Sequence, residues 1–198
     1  MSNLDKKDLR VIKTEHLIKN TFIEMVQTLG YQRITVKDLC EKALINRNTF
    51  YLHYSDKDAL VKALINEALD KFMKNLNPLS IEFFTNVITN NLEGFTSAVK
   101  KFLEIIYEDI ELYRMLLIDE YLTGYFKNFE LSYEKTILHL LKIKNRGATL
   151  IFRYIMSGVA GILVEWIVKD TTSMDETARI ISMLVFENIK IYMKENNL

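Results

Sequence analysis

Four consecutive residues, Asn46, Arg47, Asn48 and Thr49, carry the side chains in this chain best suited to recognition chemistry. The forked guanidinium of an arginine can donate two hydrogen bonds to O6 and N7 of guanine, and an asparagine amide can bridge N6 and N7 of adenine. Thr49 offers a hydroxyl and a methyl group. Tyr51, His53 and Lys57 follow, and each can reach a phosphate oxygen. Phe50 and Tyr54 are four apart, so they share a face and point back into a small core. This is the chemistry of hydrogen bonding to base edges and backbone phosphates, with no bond made or broken.

Such side chains need a rigid mount. The run from Ile34 to Leu60 supplies two short amphipathic segments joined by a tight turn, with another helix following at once. Thr35 and Asp38 have the spacing of a capping box for the first segment, whose buried side is Leu39, Cys40 and Ala43. Asn46 suits the cap of the second, with Ile45 packing inward before it. Ser55 and Asp58 predict a further box, opening a helix through Leu60, Leu64 and Ala68 to about Leu76. Upstream, a helix over Leu9–Leu29 places Val11, Ile18, Phe22, Met25 and Leu29 on one face, and Gly30 suits a left-handed end. A helix pair of this kind enters a DNA major groove by the N-terminal end of its second member. The helix N-termini at Thr35 and Ser55 also present free N–H groups to phosphate oxygens.

The rest of the chain reads as helix to the end. Six glycines and one proline, Pro78, in 198 residues leave few breaks. With 49% hydrophobic and 26% charged residues, a packed core is expected. Asn77-Pro78 predicts a break, because the residue before proline avoids the helical region. Beyond it, helices are expected over 81–91, 95–107, 110–118 and 121–143, then a turn at Asn145-Arg146-Gly147. Ala148–Val168 is apolar nearly all round, which predicts a helix buried on most faces. Ser173 and Glu176 suit a capping box for a last helix running to about Lys194. No useful stretch alternates with period two, so the fold class is all-α. The division expected is a helix-turn-helix domain over residues 1–55, a connecting helix over 56–76 and a helical body over 77–198.

The net charge is zero, but residues 1–60 hold ten Lys/Arg against eight Asp/Glu, and the remainder sixteen against eighteen. The sign of this asymmetry suits an anion-binding N-terminal end. A single cysteine, Cys40, excludes an intrachain disulfide and a multi-cysteine metal site, and its place on an apolar side suits core filling. No apolar leader opens the chain, and its longest uncharged apolar stretch, Tyr154–Val164, falls short of the ~20 residues that cross a bilayer. A cytoplasmic protein without membrane contact is the expectation.

The run from Ile34 to Leu60, with its Thr-Phe-Tyr-x-His-Tyr-x-x-Lys core at 49–57, closely resembles the DNA-binding domain of TetR/AcrR-type transcriptional regulators. The resemblance covers roughly residues 8–65. It implies base contacts from Arg47, Asn48 and Thr49, with Lys37 adding another, and phosphate contacts from Thr35, Tyr51, His53 and Lys57. One departure is plain: Leu44 stands at the turn where the family usually has glycine. A leucine there must avoid a left-handed backbone or accept strain on the order of 1 kcal/mol. The stretch Tyr154–Ile167 resembles, more loosely, the penultimate helix of a subgroup whose last two helices build a two-fold dimer interface. Gly158 and Gly161 would allow close helix approach, Trp166 would supply buried area, and Ile181 and Val185 would add a stripe from the last helix.

These features imply a sequence-specific DNA-binding regulator, a repressor by expectation. It would bind a near-palindromic operator in double-stranded DNA as a homodimer, controlled by a small-molecule or protein effector in the C-terminal body. Residues Phe102, Tyr107, Tyr113, Tyr121, Tyr125, Phe126 and Phe129 could line an effector pocket, though aromatics at helical spacing more often form plain core. The acidic residues Glu108, Asp109, Glu111, Asp119 and Glu120 suit a solvated face better than an acid–base pair. No nucleophile–base arrangement, phosphate-cradling glycine loop, cofactor motif or metal-ligand spacing stands out, so an enzyme is not expected. The alternative is a helical interaction module acting only through protein partners.

Overall fold

The computed structural model describes residues 3–124 and 146–195. All regular structure among them is helical: α1 (Asn3–Leu29), a short 3-10 turn (Tyr31–Arg33), α2 (Val36–Lys42), α3 (Arg47–His53), α4 (Lys57–Ile88), α5 (Leu92–Tyr107), α6 (Ile110–Ile118), α7 (Arg146–Lys169) and α8 (Met174–Glu195). The helix expected over 121–143 lies, beyond Gly124, outside the described residues. The chain divides into two compact units.

The first unit comprises Met1–Ala68 with Met115–Tyr125. Ile18, Phe22, Met25 and Val26 of α1 are buried with Leu39, Cys40 and Ala43 of α2, Phe50 of α3, and Leu60, Val61 and Leu64 of α4. Each large apolar side chain so buried contributes roughly 1.5–3 kcal/mol. Val11 and Leu29, expected on the same face of α1, are exposed instead. Gly30 ends α1 at φ 81°, ψ 146°, a backbone region essentially closed to residues with a Cβ. Tyr31 then ties the unit together. Its N–H donates to Asp119 Oδ2 at 2.7 Å, its carbonyl accepts from Lys57 Nζ at 3.0 Å, and its hydroxyl bonds the Asp58 carboxylate.

The second unit comprises Leu69–Arg114 and Phe126–Leu198. Its core includes Phe72, Phe95, Leu103, Tyr113, Trp166, Ile181 and Phe186. Phe95 meets the Phe186 ring edge-on at 5.4 Å between centroids, joining α5 to α8. Arg114 Nε donates to the Ile167 carbonyl at 3.0 Å, placing a cation at the negative end of α7. The α4–α5 junction is tight. Asn90 takes φ 54°, Asn91 caps Gly94 N–H through its side chain, and its amide also reaches the buried Asn86.

Several local expectations change. No break occurs at Asn77-Pro78: α4 runs through the proline for 32 residues. A proline inside a helix removes one hydrogen bond, and a helix this long keeps its remaining ladder. Asp56, not Ser55, caps α4, accepting from Ala59 N–H at 2.7 Å, which leaves Asp58 for Tyr31. Arg146 and Gly147 open α7 instead of forming a turn.

The largest change concerns α7 itself. Leu150, Ile151, Tyr154 and Val164 are exposed, and only Trp166 and Ile167 are buried among the described residues of this helix. A nearly all-round apolar sequence is therefore left largely uncovered among the described residues. The 21 residues Thr149–Lys169 are long and apolar enough, by length and composition, to cross a membrane.

Candidate nucleic-acid interface

The α2–turn–α3 unit is fixed by caps at each end. Thr35 and Asp38 form a full capping box: Thr35 Oγ1 accepts from Asp38 N–H at 3.2 Å, and Asp38 Oδ2 accepts from Thr35 N–H at 3.2 Å. The Thr35 hydroxyl also donates to Asp38 Oδ2 at 2.6 Å. These bonds to Thr35, side chain first, hold the Asp38 carboxyl below its usual range.

The turn after α2 has the hydrogen bonds of a Schellman motif. Ile45 N–H reaches back to the Cys40 carbonyl at 3.0 Å and Leu44 N–H to the Glu41 carbonyl at 3.2 Å. That motif demands a left-handed residue at its centre, and Leu44 takes φ 54°. The leucine therefore accepts the strain, and the turn keeps its geometry. Asn46 follows as the cap of α3, its Oδ1 accepting from Asn48 N–H at 2.9 Å.

With α3 so held, its faces are sorted. Phe50 and Tyr54 face the core, their rings 5.8 Å apart, and burial first, then the charges of Glu15 and Glu67, raises the Tyr54 hydroxyl to about 12. Arg47, Asn48 and Tyr51 are exposed on the outer face, and Thr49 is half-buried at its edge. Lys37 extends from α2 into solvent, 3.8 Å from Glu41. These are the groups free to meet a nucleic acid.

Three of the phosphate-contact residues are engaged elsewhere. The His53 side chain is only 10% exposed and lies 3.3 Å from Glu15 Oε1 of α1. The Lys57 ammonium donates to the carbonyls of Tyr31 and Ile34 at 3.0 Å each and sits 4.2 Å over the Tyr31 ring. Thr35 is exposed, but its hydroxyl is committed to the capping box. His53 and Lys57 thus brace α3 and the start of α4 in the free protein. Sequence spacing carries no sign of this, because their partners lie 23 to 38 residues away.

Of the five residues expected at a dimer interface, Trp166 and Ile181 are buried within the chain, Trp166 lying beside Tyr107. That burial withdraws both from any surface. Gly158 and Gly161 lie exposed on α7 with open space where a Cβ would stand, and Val185 is half-buried. Among the described residues, no group of three or more His, Cys, Asp or Glu could hold a metal ion. Cys40 is buried, and burial raises its thiol above the usual range.

Residues 23–64 match the family of bacterial regulatory proteins, tetR family. Two curated relatives from Bacillus subtilis (strain 168) are similar. The uncharacterized HTH-type transcriptional regulator YxbF is 30% identical over 70 residues, covering 35% of this chain and 18% of that one. The uncharacterized HTH-type transcriptional regulator YuxN is 26% identical over 98 residues, covering 48% of this chain and 30% of that one. The matched region thus spans less than a third of either curated relative. Two solved structures share the fold. A putative TetR-family transcriptional regulator from Syntrophomonas wolfei aligns with a TM-score of 0.66 at 16% identity, over 90% of this chain and 95% of that one. A TetR-like transcriptional regulator from Rhodococcus sp. RHA1 gives 0.59 at 18% identity, over 89% and 95%.

Residues 23–64, which include the helix-turn-helix built on α2 and α3, thus carry the DNA-binding domain of the tetR family of bacterial regulatory proteins, and the chain as a whole shares the fold of TetR-like regulators. Members of this family are regulators and not enzymes.

Proposed function

We propose that this chain is a sequence-specific repressor of transcription that binds a near-palindromic operator as a homodimer. The observation that carries the proposal is the outward face of α3, where Arg47, Asn48 and Tyr51 stand exposed on a doubly capped mount with Lys37 nearby. Arg47 and Asn48 occupy the first turn of α3, the part of a recognition helix that meets base edges. Arg47, Asn48, Thr49 and Lys37 are assigned to bases and Tyr51 to a phosphate. Thr35, His53 and Lys57 serve first to brace the reader, and a phosphate contact from His53 or Lys57 requires its present partner to be shared or released. An effector acting on the second unit controls affinity, through a coupling of a few kcal/mol between two arrangements. The protein is assigned to the cytoplasm, as is general for the family.

The homodimer is supported by the uncovered face of α7 and α8. Leu150, Ile151, Tyr154 and Val164 are exposed on α7, and Met183 and Leu184 on α8. An apolar patch of this kind calls for a partner, and a second copy satisfies it by two-fold symmetry. Exposed Arg153 and Glu165 on the same helix favour a protein partner over lipid, because charges in hydrocarbon are costly.

Selection of bound sequences from genomic fragments tests the function. A recurrent sequence with two-fold symmetry supports the proposal. Salt-sensitive binding without sequence preference, or no binding, contradicts it, and capture of protein alone favours an interaction module. Sedimentation showing only monomer at micromolar concentration, or partition into membranes, contradicts the two-fold assignment.

A further inference from the structure

The two most exposed large hydrophobic side chains among the described residues both lie on the reading element: Leu44, 92% exposed, in the turn, and Leu52, 85% exposed, on α3. Leu52 lies four residues after Asn48, so it shares the outward face with Arg47, Asn48 and Tyr51. Its exposure leaves it almost no packing role in the folded chain. Helix formation does not require it either, since lysine, glutamine or glutamate would serve as well at a solvated position. An apolar side chain on a polar recognition face, one turn beyond Asn48, is explained if the face is covered when bound, and if something apolar meets it there.

We infer that Leu52 is a specificity-determining residue that contacts the 5-methyl group of a thymine. The inference rests on the operator-binding function proposed above. In the major groove the thymine methyl is the apolar feature of the base edges; the other groups are hydrogen-bond donors and acceptors that a leucine would strip of water. Helix rise places Leu52 about 6 Å along α3 from Asn48. With base pairs spaced ~3.4 Å apart, Leu52 falls within about two steps of the base that Asn48 meets. The polar readers and Leu52 would then specify neighbouring positions of one half-site, and Leu52 would favour thymine over cytosine by the methyl that cytosine lacks.

Replacing each operator thymine in turn by deoxyuridine removes the methyl and leaves every hydrogen-bonding group in place. The test uses the full chain and the operator obtained by selection. One thymine per half-site is expected to show a loss of about fourfold on this change, the value for one buried methyl-sized group. In Leu52→Ala that loss should vanish, while in Arg47→Ala it should persist on top of weaker binding. Leu52→Met, which keeps an apolar side chain of similar size, should retain the discrimination. Leu52 is exposed, so Leu52→Ala is expected to keep its helical content and stability, which circular dichroism checks. Sequence-specific binding indifferent to every thymine methyl would overturn the role of Leu52 and leave the operator reading intact. So would a deoxyuridine effect undiminished in Leu52→Ala. Failure to select any sequence would overturn both.

Discussion

Replacing Leu44 by glycine should stabilise the first unit, although it removes a large side chain. Leu44 sits at φ 54° in the centre of the turn between α2 and α3. A left-handed backbone costs an L-residue roughly 1–2 kcal/mol, because Cβ crowds the following carbonyl oxygen. Glycine does not carry that cost. Glycine has a larger unfolded-state entropy, which returns about 0.5–1 kcal/mol of the gain. Leu44 is 92% exposed, so its removal exposes little that was buried. The net expectation is a stabilisation of about 0.5–1 kcal/mol, equivalent to about 2–8 °C for a unit of this size. Thermal and urea unfolding of the full chain, followed by circular dichroism, would measure it. Leu44→Ala is the decisive control, since it keeps Cβ and should leave the midpoint within ~0.5 kcal/mol of the parent. Destabilisation by glycine, or equal effects of glycine and alanine, would refute the assignment of strain at Leu44.

Other consequences are equally open to measurement. The Asp38 carboxyl is lowered by its bonds to Thr35, so the stability it contributes is present above the unfolded value near 3.8 and is lost as pH falls through the lower folded value. Its NMR titration midpoint should therefore lie below 3.8, and Thr35→Val should move it upward; a midpoint unchanged by that substitution would contradict the capping box as its cause. A Cβ on Gly94 would stand 2.4 Å from Asn86 Oδ1 and 2.5 Å from Asn91 Nδ2. Gly94→Ala should cost about 1–3 kcal/mol by crowding, read as a lower denaturant midpoint. Gly158→Leu, placed in open space on α7, should leave the monomer fold intact and split the dimer in sedimentation; persistence of the dimer would move the interface away from Gly158.

Local chemistry made much of the reader legible from sequence. Thr35 and Asp38 carry their capping signal three residues apart, Asn46 caps the helix that follows it, and Phe50 and Tyr54 fall on the core face by spacing alone. The errors arose where a residue's partner is remote or where neighbouring residues could serve equally well. Lys57 turns inward because two carbonyls, on Tyr31 and Ile34, converge on it, and nothing near Lys57 announces them. Ser55 and Asp56 are both good caps, and Asp58 is claimed by the Tyr31 hydroxyl, so local propensity could not choose between them. Pro78 reads as a break, yet the longer helix absorbs it. For α7 the sequence correctly marked an apolar helix, but apolarity does not say what covers it, and most of that helix is exposed among the described residues.

The central claim is that the outward face of α3 reads DNA, and Arg47 tests it most directly. The measurement is the affinity of the parent and Arg47→Ala for the selected operator and for unrelated DNA, at two salt concentrations. A bidentate arginine–guanine contact predicts a loss of about 1–3 kcal/mol on the operator, with relaxed preference at a single base pair of each half-site. It also predicts a much smaller loss on unrelated DNA, where only the charge is missed. Equal losses on both DNAs would reduce Arg47 to a phosphate contact, and unchanged operator affinity and specificity would contradict the account.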